Sequence, residues 1–515
     1  MGLHLGLELR QDVGMIALVR KASHVAVLVG ALLMSLVAIG HSDASGVMGS
    51  VAPDFEDVTH AQNVDDDATL SWGAAWVDHD ADGDPDLLAN RHWKEIRVYR
   101  NMEGAYRLQH VTFPEPAKSV FDRHTCAWGE ADGLKGLDLY CGSGAGKGEG
   151  WGPNQLWLQT DGRFRNVSAA YGTRDGFGRS RQNNWIDYDG DGDLDIFVVN
   201  KLRGGVPNVM FRNDRGDFTR TNVGLGEELN GLASTWSDWD RDGDPDLLVT
   251  QVWPGPTVAY RNNVGVFTRV NLPGVTGQPW TSASWGDLDG DGWSDLSLVT
   301  HDRMTIMRNV RGQFAQAASS PMSMGRSSAW LDVENDGDLD VFVVQGRTNG
   351  INHPDLLVLN NGLTFSVVQD ETLAGPTTGE GESIAVADHD RDGKMDALVT
   401  NGANLDVDSD QVKGRWKLFE NHSAGGNWIA VDIRGDNWNP LGYGARLRVD
   451  TATQTYRREL NDGLTVRAQS EVGHQVLGIG AATSATIRIT WPNGVTDCKT
   501  AIANSTIVLK RGSGC

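Results

Sequence analysis

The chain has 515 residues, with 45 Lys and Arg against 68 Asp and Glu, a formal charge of −23, and 39% hydrophobic residues. A balance this acidic argues against gripping a nucleic-acid backbone or an anionic membrane surface. The length allows two to four domains, or one large repeat array with a small companion domain.

The first 44 residues read as a signal peptide. Arg20 and Lys21 precede an apolar run, Val25–Gly40, and Ser42–Ala44 places small residues where a signal peptidase cuts. Met15 would give a start of more usual length, and an uncleaved anchor is the alternative. No later stretch is long enough to span a bilayer, so the mature chain is expected to be exported, secreted or periplasmic, with no membrane span.

From Asp78 onward one sentence is written repeatedly. "DHDADGDPD" begins at Asp78, followed by "DYDGDGDLD" at Asp187, "DWDRDGDPD" at Asp238, "DLDGDGWSD" at Asp287, "DVENDGDLD" at Asp332 and "DHDRDGKMD" at Asp388. A weaker copy, "EADGLKGLD", begins at Glu130. Trp76, Trp128, Trp185, Trp236, Trp285 and Trp330 stand two residues before the first acid, with Val386 in the seventh copy. A short apolar run follows each loop. Next come "VYRNMEGAY", "MFRNDRGDF", "AYRNNVGVF" and "IMRNVRGQF", where Asn and Gly fit hairpin turns. Each unit therefore predicts a four-stranded antiparallel blade, and seven units predict a seven-bladed β-propeller over 50–422. The seventh unit stops at Asn421 without a fourth strand, whereas 54–60 is a strand with no blade of its own. The N-terminal strand is therefore expected to complete the last blade.

Aspartates this dense repel one another unless a cation joins them. Calcium takes six to eight oxygen ligands at about 2.3–2.6 Å, and magnesium demands stricter octahedral geometry. The expected ligands in the first loop are Asp78, Asp80, Asp82, Asp84 and Asp86. In the next strong copies they are Asp187, Asp189, Asp191, Asp193 and Asp195, then Asp238, Asp240, Asp242, Asp244 and Asp246. The remaining sets are Asp287, Asp289, Asp291, Trp293 and Asp295; Asp332, Glu334, Asp336, Asp338 and Asp340; and Asp388, Asp390, Asp392, Lys394 and Asp396. Position 7 varies in type, as expected where only the backbone carbonyl coordinates, and Lys394 should point outward. About six structural Ca2+ ions are expected. The copy at Glu130 has Leu134 and Lys135 in place of an acid and the turn glycine, so it is expected to have lost its metal. Cys126 and Cys141 flank it and could pair across the hairpin, and Cys498 with Cys515 would pin the C-terminal strand; buried thiols are the alternative for the first pair.

These loops and turns resemble the FG-GAP/VCBS repeat of integrin α-subunit propellers. The tail segments Asn427–Asp450 and Gly473–Gly494 are similar to the ASPIC/UnbV domain, and the combination resembles the cartilage acidic protein-like family. The resemblance implies an extracellular calcium-binding protein with adhesion or matrix associations. The tail, 425–515, alternates apolar and polar residues and predicts a small β-sandwich or barrel beside the propeller.

Enzyme signatures are scarce. "GESIA" at Gly381 reads as strand, and the glycine-rich Gly142–Gly152 lacks phosphate-loop spacing. No catalytic residue is assigned. The loops opposite the aspartates carry Arg91, Trp93, Trp253 and His301, residue types that suit an extracellular protein or glycan ligand. The expected function is therefore a non-enzymatic interaction protein, the alternative being a polysaccharide lyase on the same scaffold.

Overall fold

The computed structural model describes residues 52–64, 71–92, 94–109, 111, 113, 122–144, 152–201, 206–374, 379–402, 413–461 and 463–515. The predicted signal segment, Trp93 and most of the glycine-rich 142–152 stretch lie outside them. No helix occurs among the described residues.

Seven four-stranded antiparallel sheets follow one another along the chain. The first blade is built from Ser71–Val77, Asp86–Arg91, Arg97–Met102 and Ala105–Gln109. Its first two strands are buried on both faces, as continuous apolar packing between neighbouring sheets requires, while its last strand alternates. Each aspartate loop joins the first strand of a blade to the second. Each first strand packs against that of the next blade, and Ser71–Val77 also packs against Gly381–Ala387 of the last. Phe55–Asp57 pairs with Lys417–Asn421 as the fourth strand of the seventh blade. The chain is thus a seven-bladed β-propeller closed by its N-terminal strand, which leaves no seam between first and last blades.

The tryptophans before the loops, including Trp76, Trp128, Trp185 and Trp236, are buried between blades. The asparagines that end the third strands do more than turn the chain. The Asn262 side-chain amide donates to the carbonyl of Pro245 in its own loop and to that of Tyr188 in the preceding blade's loop. Asn213 and Asn309 do the same with Ala131 and Trp239, and Asn101 of blade one reaches His389 of blade seven. Gln159 takes this place in blade two and reaches His79. One amide per blade therefore stitches the ring together in a single direction.

The C-terminal domain is two sheets that share a core. One joins Asn427–Arg434, His474–Gly480 and Ser505–Lys510, and the other joins Arg446–Asp450, Thr455–Glu459, Ser484–Thr490 and Thr496–Ile502. It lies across the face of the ring that carries the aspartate loops, a more specific placement than the expected one beside the propeller. Disulfides join Cys126 to Cys141 across two paired strands and Cys498 to Cys515 at the C-terminus.

Candidate functional site

Each strong loop folds on the same hydrogen bonds. The position-1 carboxylate accepts the position-6 glycine N–H, as in Asp78 with Gly83 at 3.1 Å and Asp287 with Gly292 at 2.9 Å. Gly83, Gly192, Gly243, Gly292, Gly337 and Gly393 all have positive φ, the conformation glycine adopts at least cost. The position-9 carboxylate accepts from backbone: Asp195 from Tyr188 and Asn213, and Asp340 from Val333 and Asn360, while Asp246 accepts from Asn262 and keeps its other oxygen without a hydrogen bond. At position 7, Asp84, Asp193, Asp244 and Asp338 turn their carboxylates to the turn after the third strand, where they accept from Glu103, Arg215, Val264 and Gly362. Lys394 lies 3.8 Å from Asp392, and Trp293 lies under the Arg241 guanidinium.

Several carboxylate oxygens of the loops remain buried without a hydrogen bond. Buried oxygens of Asp80, Asp187, Asp189, Asp287, Glu334 and Asp388 accept no hydrogen bond, whereas that of Asp289 is met by Arg308. Oxygens of Asp78, Asp80 and Asp86 lie within 4.8 Å of one another, as do those of Asp187, Asp189 and Asp195, and of Asp238, Asp240 and Asp246. Burial and then neighbouring aspartates push Asp187 up to about 7, and Asp332 to about 8. Burial does the same for Asp246, to about 9. Orphaned carboxylate oxygens at this spacing are a donor set for a hard divalent cation, and the residues present fit calcium. Arg100 and Arg212, from the strand that carries the stitching asparagine, offset part of the charge at position 3 through Asp80 and Asp189.

The second loop keeps part of the same carboxylate geometry. Glu130, Asp132 and Asp138 also bring oxygens within 4.8 Å of one another, and burial pushes both Glu130 and Asp138 up. What it lacks is the position-5 acid, because Leu134 stands there, 60% exposed.

The C-terminal domain contacts these loops directly. Arg446 pairs with Asp238, Arg434 lies 3.9 Å from Asp78, and His474 lies 3.6 Å from Asp388. Glu459 accepts the Asp238 N–H, and the Gly426 N–H reaches the Glu334 carbonyl. From this face the segment 464–472 enters the central channel. Gln469 pairs with Ala74 and Trp76 through its backbone and with Trp128 through its side chain, and Glu471 donates to Val386. Gly73 is required here, since a Cβ would stand 2.5 Å from the Arg467 carbonyl. Arg467, fully buried, pairs with Glu382 and lies over the Trp72 ring.

At the opposite end of the channel, the residue four before each of the six tryptophans, and before Val386 in the seventh blade, forms a ring: Trp72, His124, Arg181, Leu232, Thr281, Arg326 and Glu382. In six blades this residue is skipped in the pairing register, as at Ser180/Gln182 and Gly325/Ser327; only Thr281 lies outside a bulge. A bulge re-aims a side chain away from the ladder, here toward the channel mouth. His92 stacks on Trp72, and Asp122 accepts from His92 at 2.5 Å and from His124 at 3.1 Å. Arg181 donates to the other nitrogen of His124. That imidazole–carboxylate trio could ligate a metal by spacing, but Asp122 already accepts from both imidazoles and the buried Arg181 guanidinium stands against His124.

The residues expected on this face divide. Trp253 is 52% exposed and lies 5.8 Å from His301, ring to ring. Arg91 is 1% exposed and paired with Glu95, so it braces its own loop.

The family described as FG-GAP-like repeat matches 187–249, 238–298, 287–343 and 332–399. The chain carries FG-GAP-like repeats. No curated protein matches the sequence. Among solved structures, it is similar to an Agrocybe aegerita lectin that recognises non-reducing terminal N-acetylglucosamine, at 17% identity and a TM-score of 0.42, over 59% of this chain and 81% of that one. It is also similar to BBS1N in complex with ARL6DN, at 9% identity and a TM-score of 0.45, over 73% and 99%. A third is Saccharomyces cerevisiae Sqt1, at 10% identity and a TM-score of 0.40, over 85% and 98%.

Proposed function

We propose that this FG-GAP-like propeller is an exported, calcium-bound interaction protein with no catalytic activity, which takes a glycan or protein ligand on the face opposite its aspartate loops. The observation that carries the reading is the division of the molecule. The aspartate oxygens that would hold calcium lie beneath the C-terminal domain, where Arg446, Arg434 and His474 meet them. Ions there serve as structural staples, and the other face is left to meet a partner. The ASPIC/UnbV-like character of the tail, and adhesion as the biological setting, belong to the same proposal. Two disulfides suit an oxidising compartment, and no helix among the described residues is long and apolar enough to cross a membrane.

The test sets the mature chain against uronate polymers and follows both retention and unsaturated products. Retention without turnover is expected. Turnover that disappears on His301→Ala would replace this reading with a lyase.

A further inference from the structure

The channel mouth carries a charge arrangement that the stitching of the ring does not require. Arg181 is 2% exposed. Its guanidinium donates to His124 and, at 3.1 Å, to the Ser180 carbonyl, and among the described residues no carboxylate pairs with it. Its neighbours are arranged otherwise: Arg326 has Glu380, and Arg467 has Glu382. The nearest compensation in its own network is Asp122, one imidazole away behind His124. Burial first, and then the cations Arg179 and Arg467, hold the Arg181 pKa well below the usual guanidinium range. A cation removed from water beside other cations favours an anion placed against it.

Space for that anion exists. A cavity of about 30 Å³ is lined by Arg181, Lys201, Arg326, Trp253 and His301, and by Glu382, whose charge Arg467 already meets. It spans blades three to seven, with Val466 of the channel segment at its wall, and is framed by the bulged residues. A cavity of this size holds a small polar group such as a carboxylate and not a sugar ring. Trp253 stands at its edge with half its surface exposed, next to His301. An exposed indole offers a flat apolar platform to a ring whose polar group points past it into the cavity.

We infer that the channel mouth binds an acidic glycan, with the carboxylate of a uronic acid residue against Arg181 and its pyranose ring on Trp253. Arg181 supplies the charge partner and, through its planar fork, two parallel donors for a carboxylate. Trp253 supplies the stacking surface, and Arg326 and Lys201 raise the local positive potential. The ring matters to the choice of ligand: an acidic peptide could fill the small cavity but would leave the indole without a flat partner. This inference rests on the proposed ligand face, and it adds the charge and the class of the ligand.

The experiment is calorimetric titration of the mature chain, at fixed calcium, with trigalacturonic acid, with its fully methyl-esterified form, and with a hexapeptide of aspartates. The acid trimer should bind at least tenfold more tightly than the ester, and added salt should weaken it. Arg181→Gln and Trp253→Ala should each weaken the acid trimer at least tenfold. Trp253 is a surface residue, so its variant carries the test if Arg181→Gln fails to fold. Equal binding of acid and ester would overturn the charge assignment while leaving a glycan-binding face in place. Binding of the peptide in preference to the trimer would overturn the glycan assignment. Binding of none of the three would overturn the inference. Cleavage of the trimer is a separate observation, and it would count against the proposed function instead.

Discussion

The same seven inner strands end in two very different surfaces. At one end every blade repeats one loop, with an acid at positions 1 and 9 and, in the six strong copies, the same turn glycine. At the other end the equivalent positions hold Trp72, His124, Arg181, Leu232, Thr281, Arg326 and Glu382, with little chemistry in common. The repeated face is acidic and lies under the C-terminal domain. The varied face is bulged, partly basic and carries an exposed Trp253. Repetition is what a structural staple needs, since each blade solves the same closure problem. Recognition of a ligand instead needs one particular set of side chains in one place.

The largest expected effect concerns the repeated face in chelator. Asp187, Asp332 and Asp246 have folded-state values near 7, 8 and 9, above the ordinary carboxylate value. The folded chain therefore binds more protons than the unfolded chain between about pH 4 and 9. Metal-free stability should fall as pH rises through that window, and saturating calcium should flatten the dependence. Denaturant melts at several pH values, with and without calcium, measure this. A metal-free chain that gains stability with pH would erase the electrostatic contrast between the faces.

The link between the faces is tested by Arg467→Ala. It leaves Glu382 buried and unpaired in the channel, and removing one partner of a buried pair costs about 3–5 kcal/mol. The melting temperature should drop whether or not calcium is present. Asn262→Ala removes three side-chain hydrogen bonds, one of them between blades, and should cost about 1–3 kcal/mol by chemical denaturation. Trp253→Ala should change stability by less than about 0.5 kcal/mol, as expected for an exposed residue. A large loss there would mean that the indole serves the fold, and the two faces would no longer differ in kind.

The repeated face was legible in the sequence because its chemistry is periodic. Seven spaced copies of one acidic loop leave little freedom in fold class, and the orphan strand around Phe55 announced ring closure. The asparagines were equally periodic, but Asn before Gly fits a hairpin turn, and the side-chain bond to the preceding blade has no local signature. The varied face was much less legible. Its ring lies at a constant four residues before the tryptophans, a signal of position without a shared residue type. Arg91 looked available because a loop follows it, whereas its burial depends on packing within the blade and on Glu95. The seating of the C-terminal domain was hidden for a different reason. Arg446 and Asp238 are 208 residues apart, and each alone reads as a solvated charge. The channel segment 464–472 likewise has polar residues such as Gln469 whose partners are supplied only by the assembled ring.

The most direct test of the central claim is metal analysis of the purified mature chain, paired with thermal unfolding before and after chelation. The account predicts about six bound calcium ions, one for each strong loop, and a large fall in melting temperature when they are removed. No bound calcium, or a melting temperature unchanged by chelator, would contradict it.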